Sequence, residues 1–302
     1  MAGLSAEVAA VDVGGTSIKA ALVGDGGALR SVQRPTPAQG GLPVVEAVIA
    51  AVAELGGQPQ AIGLAVPGIV DEAAGTVRHA KNLRWEELPL AAMVGGHFGV
   101  PVGLGHDMRA AALAEYQLGA GQGAPRLVFV GIGTGISAAV VLDGQPLNGS
   151  AGEIGHGGAA SGELCACGGL GCLETYASAA GIARSYTSLS GREISGAAEV
   201  AQGVQDGDLV AQLVWTAAVN GLARELAGVV RLLGETRIVI GGGLSLAGDT
   251  LLSPLRTAVA ELLTVHPIPT ILPSAFGDRA GIHGAALLAR RSLRGSAPQT
   301  PC

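Results

Sequence analysis

The segment Gly15-Thr-Ser-Ile-Lys-Ala-Ala-Leu-Val-Gly-Asp-Gly26 returns without a gap as Gly133-Thr-Gly-Ile-Ser-Ala-Ala-Val-Val-Leu-Asp-Gly144, with eight of twelve positions identical. Each copy follows an apolar run, Val8 to Val13 in one case and Leu127 to Ile132 in the other. Each leads into a second run, Ala20 to Val23 and Ile136 to Leu142. The element therefore reads as strand, Gly-Thr turn, strand, Asp-Gly turn, once in each half of the chain. Glycines at the turn let bare backbone amides approach an anion. Two such hairpins, one per domain across a cleft, make a two-sided phosphate site; the plainer alternative is two hairpins sharing good turn residues. Either glycine turn alone would prove little.

Outward from the repeat, the spacing predicts a helix from Pro43 to Leu55, with Pro in its first turn and Gly56 just past its end. Ala61 to Val66 and Val100 to Gly105 read as strands, and Met108 to Leu118 as a helix. A long helix spans Asp208 to Leu233, and the strand Arg237 to Ile240 runs into Gly241-Gly242-Gly243. Leu251 to Leu263 and Gly281 to Arg291 are further helices. Strands alternating with helices indicate an α/β fold. The polar, proline-containing segment from Ser292 to Cys302 reads as a disordered tail.

The chain has 302 residues, 48% hydrophobic and only 3% aromatic, so Ala, Val, Leu and Ile must fill its core. Its 50 glycines follow no collagen period and gather at the ends of apolar runs, where tight turns need them. A net charge of −6 without a basic block argues against nucleic acid as a main partner. Bound phosphate must then be held mostly by backbone N–H groups and a metal. No apolar run reaches the roughly 18 residues of a membrane span, and the first residues show no signal-peptide pattern. The expectation is a cytoplasmic protein without membrane contact.

Three of the four cysteines fall within eight residues, Cys165, Cys167 and Cys172, with His156 upstream. A Cys₃His set can close a tetrahedral zinc site. Buried free thiols, or a disulfide that includes Cys172, are the alternatives. A closed four-ligand zinc has no open position, so its work is positional: it folds a glycine-rich loop and fixes His156 through one ring nitrogen. Glu153 and Glu174 flank the ligands, and two carboxylates with an imidazole suit the hydroxyls of a polyol. Asp107 lies between a strand and a helix, and from spacing alone it reads as a helix N-cap. The run Gly241-Gly242-Gly243 alone is a strand-to-helix turn.

Asp12-Val-Gly-Gly-Thr, Gly133-Thr-Gly, Ala151-Gly-Glu-Ile-Gly-His156 and Cys165-x-Cys-Gly-x-x-Gly-Cys-Leu-Glu174 together resemble the ROK family (repressors, open reading frames and kinases) from about Val8 to Arg290. The resemblance implies an actin-like, ribonuclease H-like two-domain α/β fold of the ATPase and sugar-kinase type, with a cleft between domains. The expected division is a smaller N-terminal domain of residues 1–108, joined by a C-terminal helix 280–292. A larger domain of residues 109–279 carries the zinc loop 156–172, and 293–302 form the tail. The implied activity is ATP-dependent phosphorylation of a hexose, foremost glucose at its 6-hydroxyl. Mannose, fructose or an N-acetylated hexosamine are the other substrates, and a sugar-binding protein with weak or lost activity is the alternative.

In the resemblance His156, Cys165, Cys167 and Cys172 hold a structural Zn²⁺. The sugar is held by Glu153, His156 and Glu174 with Gly68, Asn82, His106 and Asp107, and Asp107 is the general base. Asp12 suits Mg²⁺, and ATP is met by Gly14, Gly15, Thr16 and Lys19 in the first hairpin. Gly133, Thr134 and Gly135 meet it in the second, with Gly242 and Gly243. A Walker A motif is absent. The family commonly forms dimers or tetramers. A DNA-reading segment finds no room before the strand at Val8. One departure stands out. The family usually reads Asn-Asp-Ala-Asn where this chain has His106-Asp107-Met108-Arg109. A bulkier imidazole and a positive charge thus flank the expected base.

Overall fold

Each copy of the repeat opens a five-stranded sheet, and the two sheets share one connectivity. The computed structural model describes residues 7–24, 26–149, 152–157 and 162–295. The first half contains β1 (Val8–Val13), β2 (Ser17–Gly24), β3 (Gly27–Pro35), α1 (Leu42–Leu55), β4 (Ala61–Val66), β5 (Ile69–Asp71), β6 (Thr76–Ala80), β7 (Trp85–Leu88), α2 (Leu90–Phe98), β8 (Val102–His106) and α3 (Asp107–Leu118). The second contains β9 (Arg126–Ile132), β10 (Ile136–Leu142), β11 (Gln145–Pro146), α4 (Leu173–Ala177), α5 (Ala179–Ser190), α6 (Ala197–Gln205), α7 (Leu209–Leu233), β12 (Arg237–Gly241), α8 (Asp249–Leu262), β13 (Thr270–Pro273) and α9 (Ala280–Gly295).

The sheet orders are β3-β2-β1-β4-β8 and β11-β10-β9-β12-β13, with β5-β6-β7 forming a small antiparallel sheet. In both large sheets the first three strands are antiparallel and the last three parallel. The hairpin β1–β2 closes on the pair Val13↔Ile18, and β9–β10 on Ile132↔Ile136. Asp25, of the Asp-Gly pair that ends the first copy, lies outside the described residues.

The chain divides into two compact units, one reaching Ala114 and resuming at Arg279, the other being Glu115–Asp278. The division falls within α3 at Ala114, not after Met108, because one continuous helix carries the chain across. In the first unit, α1 and α2 cover one face of the sheet with Val44, Val48, Leu55, Leu90 and Val94. The last helix, α9, covers the other with Ile282, Ala285 and Leu288. It packs so closely that a Cβ at Gly63 of β4 would lie 1.8 Å from the Ala285 carbonyl oxygen, so only glycine fits.

The expected end of that helix at residue 292 is corrected. Ser292 to Gly295 continue α9, Ser292 Oγ donates to the Ala289 carbonyl at 2.8 Å, and Leu293 packs against the core. The rest of the expected tail, 296–302, lies outside the described residues. The second unit is built on α7, whose buried Val214, Trp215, Ala218, Leu222 and Leu226 recur at helical spacing. Asp208 caps it, accepting from the N–H groups of Val210 at 2.8 Å and Ala211 at 3.1 Å. Among the described residues no helix is long and apolar enough to cross a membrane.

Candidate active site

In the first unit the parallel strands β1, β4 and β8 end at one edge, in the register Asp12↔Ala65 and Val66↔His106. Open α/β sheets bind ligands outside the carboxyl ends of their strands. Asp12 is the penultimate residue of β1 and Asp107 directly follows β8. Lys19 stands opposite Asp12 across the β1–β2 pair. A Cβ at Gly281 would lie 2.5 Å from Asp12 Oδ2, so the start of α9 rests on that carboxylate. The positive end of a helix dipole favours an anion there.

The first Gly-Thr turn is held by its own backbone and by Thr36. Gly14 N–H donates to the Ser17 carbonyl at 2.9 Å, Thr36 Oγ1 donates to the Gly14 carbonyl at 2.7 Å, and Thr36 N–H to the Thr16 carbonyl at 3.0 Å. Gly15 and Thr16 are left exposed at the tip. Asn82 sits in a 3₁₀ turn between β6 and β7, and its side chain lies over that tip. A Cβ at Gly15 would come within 3.2 Å of Asn82 Nδ2. Gly68 is required for conformation: its φ is +100°, and a Cβ there would meet the His79 carbonyl oxygen at 2.3 Å.

Asp107 opens α3 with a partly exposed side chain. Its Oδ1 accepts from Met108 N–H at 2.6 Å and lies 3.2 Å from His106 Nδ1. Arg109, which sequence reasoning left as an unexplained charge, is buried and paired: Nε and Nη2 each lie 2.8 Å from Glu72 Oε1. Neither Glu72 nor Thr36 was singled out from sequence. The signal for Glu72 was Arg109 itself, a cation in a family position for a neutral amide. Nothing in the sequence marks Thr36.

In the second unit Gly133 N–H donates to the Gly135 carbonyl at 2.9 Å, and Thr134 is exposed at the tip. The turn is joined to the cysteine-loop region. Ala179 N–H donates to the Gly133 carbonyl at 2.8 Å, and Glu174 Oε2 accepts from Ile136 N–H at 3.3 Å. A Cβ at Gly135 would lie 2.5 Å from that same carboxylate oxygen. The glycine run lies beside this turn, Gly241 aligning with Gly131 in parallel register. Gly242 has φ +77° and no room for a Cβ, whereas Gly243 faces open space and begins a 3₁₀ turn before α8.

His156 lies between the two glutamates, its Nε2 4.0 Å from Glu153 Oε2 and its Nδ1 3.8 Å from Glu174 Oε1. The ligand atoms of His156, Cys165, Cys167 and Cys172 lie within 4.8 Å of one another. Cys165 Sγ is 3.7 Å from His156 Nδ1, and Cys167 Sγ is 3.5 Å from Cys172 Sγ. A tetrahedral zinc with ~2.3 Å bonds to sulfur needs edges of about 3.8 Å, so the donor set fits. A tight loop shapes it, with Cys165 N–H donating to the Gly169 carbonyl at 2.8 Å and Gly168 N–H to the Cys165 carbonyl at 2.9 Å. The Gly169 N–H and the Cys172 thiol bring the Cys167 thiol down to about 7. Burial pushes the Cys172 thiol up to about 12. Ala151, quoted in the family motif, and residues 158–161 of the loop lie outside the described residues.

A model of the ROK family matches residues 8–292. A glucokinase of Thermotoga maritima is 33% identical over 312 residues, covering 94% of this chain and 98% of that protein. An N-acetylmannosamine kinase of Haemophilus influenzae is 32% identical over 286 residues, 92% of this chain and 93% of that protein. Among solved structures, a ROK family glucokinase from Streptomyces griseus in complex with glucose and AMPPNP superposes with a TM-score of 0.82 at 30% identity. That superposition covers 94% of this chain and 99% of the other. The chain belongs to the ROK family and has the actin-like two-domain fold of its sugar kinases.

Proposed function

We propose that this ROK-family chain transfers the γ-phosphoryl group of ATP to a hexose, foremost glucose at its 6-hydroxyl. The observation that carries the reading is Asp107, an accessible carboxylate at the carboxyl end of β8, on the same sheet edge as Asp12. Relatives with kinase names over nine-tenths of the chain support it. Asp107 accepts the proton of the attacking hydroxyl, and geometry with proton acceptance of this kind is worth 10²–10⁴-fold. Asp12 would hold Mg²⁺, whose charge would offset that of the transferring phosphoryl group. The turn-tip residues Gly15, Thr16 and Thr134, with Gly243, meet the nucleotide phosphates.

Glu153, His156 and Glu174 accept from the remaining sugar hydroxyls. His156, Cys165, Cys167 and Cys172 would hold a zinc ion that fixes this set in place, and the transfer would not run through it. Cys165, Cys167 and Cys172 are not in disulfides, and zinc binding by all three calls for the reducing, cytoplasmic location that this reading assigns. The Haemophilus influenzae relative favours a second substrate reading, an N-acetylated hexosamine. The test is ADP release from MgATP with glucose, mannose, fructose, N-acetylglucosamine and N-acetylmannosamine. Glucose-dependent ADP release supports the leading reading, and the amino sugar as best substrate supports the second. Sugar binding without ADP release from folded, zinc-loaded protein would show a binding protein with lost activity.

A further inference from the structure

Glu72 stands in the connection between β5 and β6, with |i−j| = 37 to Arg109. Its Oε1 receives Arg109 Nε at 2.8 Å, Arg109 Nη2 at 2.8 Å and the backbone N–H of His106 at 3.4 Å. One carboxylate oxygen thus grips the residue before Asp107 and the residue two after it, on both sides of the strand-to-helix junction. Arg109 is only 8% exposed, so its guanidinium needs a fixed counter-charge. The pair is buried on the Arg109 side while the Glu72 side chain is 36% exposed, so its loss costs more than that of a fully exposed pair and less than that of a fully buried one.

We propose that Glu72 is a positioning residue for Asp107, acting through Arg109 and the His106 amide without touching substrate. The inference rests on the reading of Asp107 as general base. It gives Arg109 a place as well: its charge is matched by Glu72, and the pair fastens the junction to the β5–β6 connection. The family's neutral amide at this position carries no charge for Glu72 to match.

The test combines kinetics with amide hydrogen exchange on the full chain, comparing Glu72→Ala, Glu72→Gln, Arg109→Asn and the Glu72→Gln/Arg109→Asn double variant. Displacing a catalytic group by about 1 Å can cost ~10²-fold. Glu72→Ala is therefore expected to lower kcat by about 10- to 100-fold, with KM for ATP within about twofold. Exchange at the His106 and Met108 amides should speed about tenfold, with β1 amides unchanged. The double variant breaks the same clamp from both sides, so its kcat should fall little further than in Glu72→Gln, the two changes being non-additive. A merely structural role would lower the melting temperature and leave kcat per folded molecule intact. That result, or wild-type kcat and wild-type exchange at 106–109 in Glu72→Ala, overturns the proposal. If the wild type turns over no hexose, the functional reading fails by itself. Exchange at 106–109 then decides the clamp: faster exchange upholds it and unchanged exchange overturns it.

Discussion

The turns at 14–17 and 133–135 close hairpins at the same place in equivalent sheets, but their nearby carboxylates come by different routes. The first turn has one more residue, and its acid is local: Asp12 in β1, opposite Lys19 in β2. At the matching pair the second hairpin has Gly131 opposite Ser137, with no charge. Its carboxylate is Glu174, brought by α4 and bonded to Ile136 N–H. The repeat shows the accommodation. Ser17 stands in the first copy where Gly135 stands in the second, and only a glycine leaves room for Glu174. A duplicated hairpin thus supplies backbone amides twice, while side-chain chemistry is placed by the surroundings. Strand ends position it in the first unit. In the second, the carboxylates Glu153 and Glu174 stand beside the thiol and imidazole cluster.

If the first unit supplies the chemistry, Asp107→Asn should lower kcat by 10²–10⁴-fold, the largest effect expected, at an unchanged melting temperature. Steady-state kinetics and thermal unfolding check it, and near-normal turnover would break the division of labour. If the second unit supplies sugar binding through its metal loop, Cys172→Ser should release zinc, measured by elemental analysis. It should raise KM for the hexose on the order of tenfold while KM for ATP changes little. An equal rise in both would erase the contrast.

The same site should be pH-dependent. Metal binds thiolates, and the Cys172 thiol, pushed up to about 12 by burial, must lose its proton on binding. Zinc affinity should therefore rise with pH, and chelator competition at pH 6 and pH 8 reads it directly. The turns themselves can be interchanged. Gly135→Ser, which imitates the first copy, should displace Glu174 and raise KM for the hexose several-fold. Ser17→Gly, the reverse change, should alter it by less than about twofold.

The smallest effect separates the second unit's scaffold from its site. The Asp208 carboxyl is held below its ordinary value, chiefly by the Tyr186 hydroxyl and then by the Ala211 N–H. A lowered carboxyl stabilises the fold above its unfolded pKa, and that contribution is lost as pH falls through its folded value. Asp208→Ala should therefore lower the melting temperature at pH 7, and the gap from wild type should narrow as pH falls below the ordinary carboxyl range. Activity at low temperature should stay unchanged.

The strands of the repeat were legible because their apolar runs are buried; in β1 every residue but Asp12 is fully buried. So was α7, from its helical spacing and Asp208 at its start. The sheet β5-β6-β7 was not, because strands of three to five residues carry too little periodicity. Nor was β3, whose nine residues are all at least partly exposed and show no apolar alternation. The cysteine cluster was legible from local spacing. The Glu72–Arg109 pair was not, because the two residues meet only through the fold.

The most direct test of the account is the initial rate of glucose 6-phosphate formation from glucose and MgATP by zinc-loaded wild type and by Asp107→Asn. The account expects wild-type turnover that falls by at least about a hundredfold in the variant, with the glucose affinity of both proteins comparable. Equal rates in the two proteins, or no phosphorylated sugar from folded wild type with any hexose, would contradict it.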